Sequence, residues 1–271
     1  MVDPIRYEFE SRSLLNEMPQ FATTVAHGFD VLRCFTASTP VLGNKEIADA
    51  LGFSRPTVSR LTFTLVSLGY LSRDEKTQKY CLGPALLSLS YPFLANLSIR
   101  WMAEHDLVEL SQFASGPVSI GMRDRLQVVY VETVHDKGYN GAKPDIGSTR
   151  PLLRTAMGHA LLFGHSEAER HRLLGLLADE SPEEVEASKR SLDQSFEQIS
   201  RAGFCVSYGS WRSDLIGIAA PVNYRVGASP LGINITVPAA GADLAWVNET
   251  LGPRLSFLVR NLEQRLGVGE P

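Results

Sequence analysis

Paired cysteines, long apolar runs and any excess of positive charge are missing from this sequence. Its three cysteines, Cys34, Cys81 and Cys205, lie far apart and form no C-x-x-C pair. Such an odd, scattered set excludes a disulfide framework, offers no paired-ligand spacing for zinc, and points to reduced thiols in a cytoplasmic protein. No run approaches the roughly 18 to 20 apolar residues of a membrane span, so no membrane partner is expected. The N-terminal MVDPIRYEFESRSLL has no basic region followed by an apolar block and does not read as a signal peptide. A formal net charge of −4 excludes a chain that is basic throughout. Motifs of the H-E-x-x-H, G-x-x-x-x-G-K-[ST] and G-x-S-x-G type are absent. His159, His165 and His171 are six residues apart, which does not bring them together on one helix face. They read as surface or capping histidines, and Cys205 as a small apolar strand residue. No catalytic residue, metal or cofactor is therefore expected.

What the chain does have is uneven. At 271 residues, 44% apolar and 21% charged, it has room for two domains. Residues 20–90 carry seven Lys/Arg against five Asp/Glu, while the first 19 residues carry 2 against 4 and the rest 17 against 21. The one net-positive stretch also holds a distinctive run of elements. Val25, Phe29, Leu32 and Phe35 recur at helical spacing until Thr39-Pro40. Asn44 is placed to cap a second helix with Ile47, Ala48 and Leu51 inside and Gly52 closing it. Ser54 is placed to cap a third, with Pro56 in its first turn, Val58, Leu61, Leu65 and Leu68 inside, and Gly69 ending it. This is a helix-turn-helix. YLSR and KYCLG, separated by DEKTQ, then form a hairpin, which makes the unit a winged helix-turn-helix.

The outer side of the third helix then carries Arg55, Thr57, Ser59, Arg60 and Phe63, with Ser54 at its start. An α-helix fits the DNA major groove; Arg pairs with guanine, and Ser and Thr reach phosphates or bases. Arg73, Lys76 and Lys79 of the wing are expected at phosphates or in the neighbouring minor groove. The bland alternative is a solvated helix face beside a charged hairpin. Spacing, cap, hairpin and local charge together favour double-stranded DNA.

The segment from Pro84 to Phe113 reads as helical, with Pro92 breaking or kinking it. It carries too many leucines for one solvated helix, so part of it is expected to meet a partner subunit. Beyond Gly116, strand-like and helix-like runs mix: PVSIGMRDRLQVVYVETV, PLLRTAMGHALLFG, SPEEVEASKRSLDQSFEQISRAG, LIGIAAPVNYRVGASPLGINITVPA, and an amphipathic helix from Ala242 to Leu266. The fold class is α+β. The expected division is a tail at 1–20, a winged helix-turn-helix domain at 21–83, a linker helix at 84–100 and an effector domain at 101–271.

The order NKEIADALGFSRPTVSRLTFTLVSLGYLSRDEKTQKYCLG resembles the N-terminal domain of IclR-type bacterial transcription regulators. That family's pattern has an E-I-A helix, S-T-V-x-R-L in the recognition helix and a wing closing on Y-x-L-G. VVYVETV, PLLRTAMGHALL (against P-L-H-A-T-A-x-G-K-A), RAGFCV and IAAPV match its C-terminal half, so the resemblance runs from about Phe21 to Glu263. It implies a GAF-like effector domain, a homodimer or dimer of dimers on a palindromic operator, and a small organic acid as effector. Matched by position, the effector lies against Ala156 and Met157, then Ser207, Tyr208 and Gly217, then Asn234 and Thr236. Helix-terminal N–H groups at Ala156 and Met157 suit a carboxylate, and Arg150 and Arg154 flank that helix start, where a charge-assisted bond or a surface role is open to each.

This chain departs from the pattern in three places. Ser207-Tyr208-Gly209-Ser210 replaces an acidic pair, Gly217 replaces a cysteine, and the wing has Gln78 where a glycine is usual. Losing acidic and sulfur side chains while gaining Tyr208 and Trp211 points to an aromatic or hydroxylated aromatic acid. The reading is a ligand-responsive DNA-binding regulator. Its rivals are an effector-independent architectural protein and, further off, a small-molecule-binding enzyme with an accessory helical domain.

Overall fold

A computed structural model of the chain describes residues 18–136, 139, 141 and 143–268. Most of the expected tail therefore lies outside the described residues. The chain divides into two compact units between Asn96 and Leu97.

Among its described residues the first unit has α1 (Thr23–Arg33), α2 (Asn44–Leu51) and α3 (Arg55–Ser67), followed by β1 (Leu71–Arg73) and β2 (Tyr80–Leu82). Val31, Phe35, Ile47, Ala48, Val58, Leu61, Leu65, Leu71 and Tyr80 form its core. Each such side chain, fully buried, contributes about 1.5–3 kcal/mol for the larger aliphatics. Three expectations need correction. Asn44 does not cap α2; Gly43 does, its N–H donating to the Glu46 carboxylate at 2.6 Å. Asn44 instead accepts through Oδ1 from the buried Thr62 hydroxyl at 3.1 Å, tying α2 to α3. Leu68, Val25 and Phe29 are exposed; α1 turns Val31 inward, and Phe35 joins the core from just beyond its end, because the helix offers two apolar sides and the core takes only one. Gly52 at φ 67° ends α2, and Phe53 and Ser54 complete the turn into α3. The hairpin pairs Leu71 with Leu82, and Leu42 adds a short bridge to Tyr80.

Helix α4 (Ala85–Ala95) belongs to this unit and buries no residue. It runs through Pro92 and stops at Asn96, whose Nδ2 donates to the Pro92 carbonyl at 2.7 Å. The break expected at Pro92 therefore falls four residues later.

The second unit is built on a six-stranded antiparallel sheet in the order β5-β4-β3-β8-β7-β6. Its strands are β3 (Val118–Asp124), β4 (Gln127–Val134), β5 (Thr149–Pro151), β6 (Cys205–Tyr208), β7 (Leu215–Val226) and β8 (Ser229–Pro238). Helix α5 (Ser98–Ala114) leads in, and α6 (Ala156–Phe163), α7 (Glu167–Glu180) and α8 (Pro182–Ala202) follow β5. After β8 one α turn (Leu244–Trp246) and a π turn (Val247–Leu251) lead into α9 (Gly252–Leu266). β8 is buried along most of its length on both faces, as a central strand covered by helices must be. α6 packs on β7 and β8, and α9 packs on β7 and α5. This is the expected mixed α/β architecture. Among the described residues no helix is long and apolar enough to cross a membrane.

Two of the three histidines correct the surface assignment. His159 is buried: its Nε2 donates to the Leu153 carbonyl (2.8 Å), and Nδ1 accepts from Ser195 Oγ (2.7 Å). His165 is buried too and accepts at Nε2 from Arg123 Nε (3.2 Å). Burial, then the Arg123 charge, drive its pKa down to about 4. His171 is exposed, its ring against the Glu167 carbonyl. Cys205 is fully buried, which pushes its thiol up to about 12 and suits it to packing, not nucleophilic attack.

Candidate functional site

Two surfaces follow from these folds, one in each unit. On α3, Ser54 caps the helix: its Oγ accepts from Thr57 N–H (3.3 Å) and lies 2.8 Å from the Thr57 hydroxyl. Thr57 is half-buried and joined to the cap. Arg55, Ser59, Arg60 and Phe63 are exposed, Phe63 to 74%, a large apolar ring standing in water.

On the wing, Asp74 Oδ1 accepts from the N–H groups of Lys76 (2.9 Å) and Thr77 (2.7 Å). These contacts hold the Asp74 carboxyl below its ordinary value. Gln78 adopts the left-handed conformation at φ 58°, which is how the turn closes without glycine. Its side chain donates to the Glu75 carbonyl (2.7 Å) and accepts from Arg73. Lys76 is exposed; Lys79 is paired with Glu46 at 3.0 Å, which leaves it less free for a phosphate.

The second unit contains a cavity of about 80 Å³ between α6, the β6–β7 loop and the inner strands. Its wall includes Arg150, Arg154, Ala156, Met157, Ser207, Gly217, Asn234 and Thr236, segments up to 86 residues apart in the chain. Tyr208 is the exception. It points away, 46% exposed, and its hydroxyl accepts from Asn248 Nδ2 at 2.8 Å. Neighbouring strand residues face opposite ways, so Ser207 and Tyr208 cannot both face the cavity.

Several lining residues carry no mark in the sequence. Tyr130 comes from β4, and Lys143 and Pro144 from the segment before β5. Thr155, Arg212 and Leu215 also contribute; Gly209 and Ser210 of the loop that departs from the family pattern join them, and Trp211, notable in the sequence only for its aromaticity, forms part of the wall. No single-residue signal distinguishes these positions, although the cluster of Trp211 and Arg212 beside the matched loop is a usable hint.

The start of α6 is held firmly. Thr155 Oγ1 accepts from Gly158 N–H (3.0 Å) and donates to the Pro151 carbonyl (2.9 Å). That cap takes the third N–H of the helix, and no acceptor among the described residues takes those of Ala156 and Met157. Gly158 is required because a Cβ there would stand 1.9 Å from the Leu152 carbonyl oxygen. The Met157 side chain lies over Gly121 and Gly232 of the sheet, where any Cβ would meet it within 3 Å. Arg150 sits between Trp211 and Tyr130, its guanidinium 4.5 Å and 5.7 Å from the two ring centroids. Arg154 Nε donates to the Ser210 carbonyl (3.1 Å), tying the helix start to the loop. Arg212 is neutralised by Asp214 at 2.6 Å. Burial raises the Tyr130 phenol to about 12, opposed by the Arg150 charge and a hydrogen bond from Asn234.

Lys143, Arg150, Arg154 and Arg212 therefore line a cavity that has no carboxylate among the described residues of its wall. Together with the two open helix N–H groups, this lining has the chemistry that suits an anion.

Residues 24–75 match the family model for the IclR helix-turn-helix domain, and residues 92–248 match that for the bacterial transcriptional regulator IclR C-terminal domain. The chain belongs to the IclR family. The HTH-type transcriptional regulator TsaQ1/TsaQ2 of Comamonas testosteroni is 30% identical over 251 residues, covering 92% of this chain and 90% of that one. An IclR-family regulator of Brucella abortus superposes with a TM-score of 0.86 at 36% identity, covering 95% of this chain and 97% of its own. An IclR homologue of Microbacterium hydrocarbonoxydans, solved with 4-hydroxybenzoate, gives a TM-score of 0.68 at 18% identity, over 91% of this chain and 100% of its own. This last likeness is one of fold alone. The IclR-family chain described here is a transcriptional regulator and not an enzyme.

Proposed function

We propose that this regulator binds a palindromic operator in double-stranded DNA as a homodimer or dimer of dimers in the cytoplasm, and that a small organic acid modulates that binding. The observation that carries the acid is the cavity itself, lined by Lys143, Arg150 and Arg154, with Arg212 paired to Asp214 and no carboxylate among the described residues of its wall. The faces of Tyr130 and Trp211 beside Arg150 favour an aromatic acid. The relative solved with 4-hydroxybenzoate is consistent with this class. Arg55, Ser59, Arg60 and Phe63 read the major groove, with Ser54 and Thr57 holding the start of α3 and Arg73 and Lys76 at the backbone. Leu87, Leu89, Tyr91 and Phe93 of α4 are exposed apolar residues suited to a partner subunit. Leu97 is buried in its own unit and is no such contact. The segment 84–100 joins the two units in the chain and is the route by which ligand reaches DNA. The acid must bind two states of the assembly unequally to have any effect.

The test is fluorescence anisotropy of the protein on DNA upstream of its own gene, at fixed salt with excess unrelated DNA. Repeating the titration with pyruvate, benzoate and 4-hydroxybenzoate probes the effector. Competitor-resistant binding shifted by an aromatic acid supports the proposal. Equal binding to any DNA, unmoved by every acid, favours an effector-independent architectural role.

A further inference from the structure

Asn234 sits on an inner strand, paired with Ser119 of β3 on one side and Ala219 of β7 on the other. The sheet takes up its backbone, and its side chain forms part of the cavity wall although the residue is only 4% exposed. The side-chain amide is half used. Nδ2 donates to Thr236 Oγ1 at 3.2 Å and lies beside the Tyr130 phenol, but Oδ1 is buried and accepts from no group among the described residues. A buried acceptor without a donor is unfavourable, and such groups are rare in folded proteins unless something else meets them.

The rest of the wall is rich in donors and poor in acceptors. The Ala156 and Met157 N–H groups, Lys143 and Arg150 all suit a carboxylate. A ligand that was only an acid would satisfy that side and leave Asn234 Oδ1 without a partner. A charged ammonium could meet the oxygen, but it would enter a cavity lined by cations, with no carboxylate among the described residues of its wall. A neutral hydroxyl has no such cost.

Resting on the reading of this cavity as an acid site, we infer that the effector carries a hydroxyl besides its carboxylate, and that Asn234 Oδ1 accepts from it as the residue that sets specificity. The hydroxyl is then a requirement, not a decoration of an aromatic ring. Discrimination comes from leaving a buried group unpaired when the hydroxyl is missing, which in sites of this kind outweighs the effect of one carbon more or less.

The test is isothermal calorimetry on the full-length protein with benzoate, the 2-, 3- and 4-hydroxybenzoates, and the three matching methoxybenzoates. The expected result is that one hydroxybenzoate binds about ten- to a hundredfold tighter than benzoate, as one buried hydrogen bond implies. Its methoxy counterpart, which accepts but does not donate, gains nothing. Benzoate binding as tightly as every hydroxybenzoate overturns the hydroxyl requirement while leaving the acid site standing. No binding by any acid in the panel overturns both. In Asn234→Leu, which removes the acceptor at similar size, the preference for the hydroxyl should vanish while benzoate binds at least as well as before. An equal loss for benzoate and hydroxybenzoate would mean that the amide serves the carboxylate, and the inference would fail.

Discussion

Gly217 offers a clean separation of stability from ligand binding. It lies on β7 opposite Thr236 of β8, and it lines the cavity. Its φ is outside the left-handed region, so an L-residue fits the backbone. A Cβ there would meet only the Ala156 Cβ, at 3.5 Å, an ordinary contact. Gly217→Ala should therefore stabilise the fold by about 0.5–1 kcal/mol, since glycine in a strand interior carries that much excess entropy cost. In a unit of this size that is a rise of about 1–4 °C in melting temperature. The same methyl group stands in the wall of a cavity of only about 80 Å³. It takes the place of at least one water-sized sphere, about 10–15 Å³. Forcing a snug ligand past it should cost about 1–3 kcal/mol, as overpacking does in cores, or about five- to 150-fold in affinity. Scanning calorimetry and titration with 4-hydroxybenzoate read the two effects. A variant that melts higher and binds unchanged would falsify the assignment of this cavity. A variant that melts lower would refute the steric argument.

Three further outcomes follow from other parts of the molecule. His165 has its pKa lowered from 6.5 to about 4, so between those values the unfolded chain binds the proton and the folded one does not. Stability is therefore lost as pH falls through that window, by at most about 1.4 kcal/mol per unit; His165→Gln, which keeps an acceptor for Arg123, should flatten the profile of urea melts, and an unchanged slope would contradict this. Ser54→Ala removes the cap of α3 and should cost about 1 kcal/mol of stability in the DNA-binding unit, seen as a lower denaturant midpoint. Arg60→Ala should weaken operator binding; if Arg60 meets a phosphate, the loss is uniform across sequences with a salt slope smaller by about 0.9, and if it meets a base, the loss is confined to one operator position.

Elements whose signals are local in the chain are legible in the amino-acid sequence alone. The caps and glycine stops around α3, the hairpin pair β1–β2, the long helix α8 and the β7–β8 hairpin all come from patterns within some twenty residues. Glu46 shows how a local signal can mislead: Asn44 is a good cap by type, but a carboxylate two residues later reaches the Gly43 N–H first. Gln78 shows the opposite, since the absence of glycine does mark a special turn. At the candidate site, the family pattern locates the helix start and the two strands because their order along the chain is preserved. It cannot choose between Ser207 and Tyr208, because that depends on which face of β6 meets α6.

Periodicity, caps and charge thus specify a three-helix winged unit, a mixed α/β unit after it, and the polar, arginine-bearing outer side of α3. Each rests on interactions among neighbours, which a sequence displays directly. The packing of distant segments is beyond that reach. The sheet order β5-β4-β3-β8-β7-β6 puts β8 beside β3, more than a hundred residues earlier, and so brings Tyr130 to the same wall as Asn234. Burial of His159 and His165, the turning of Tyr208 outward and the unpaired oxygen of Asn234 follow from that arrangement, since exposure and hydrogen-bond partners are properties of the folded assembly of segments and of no segment alone.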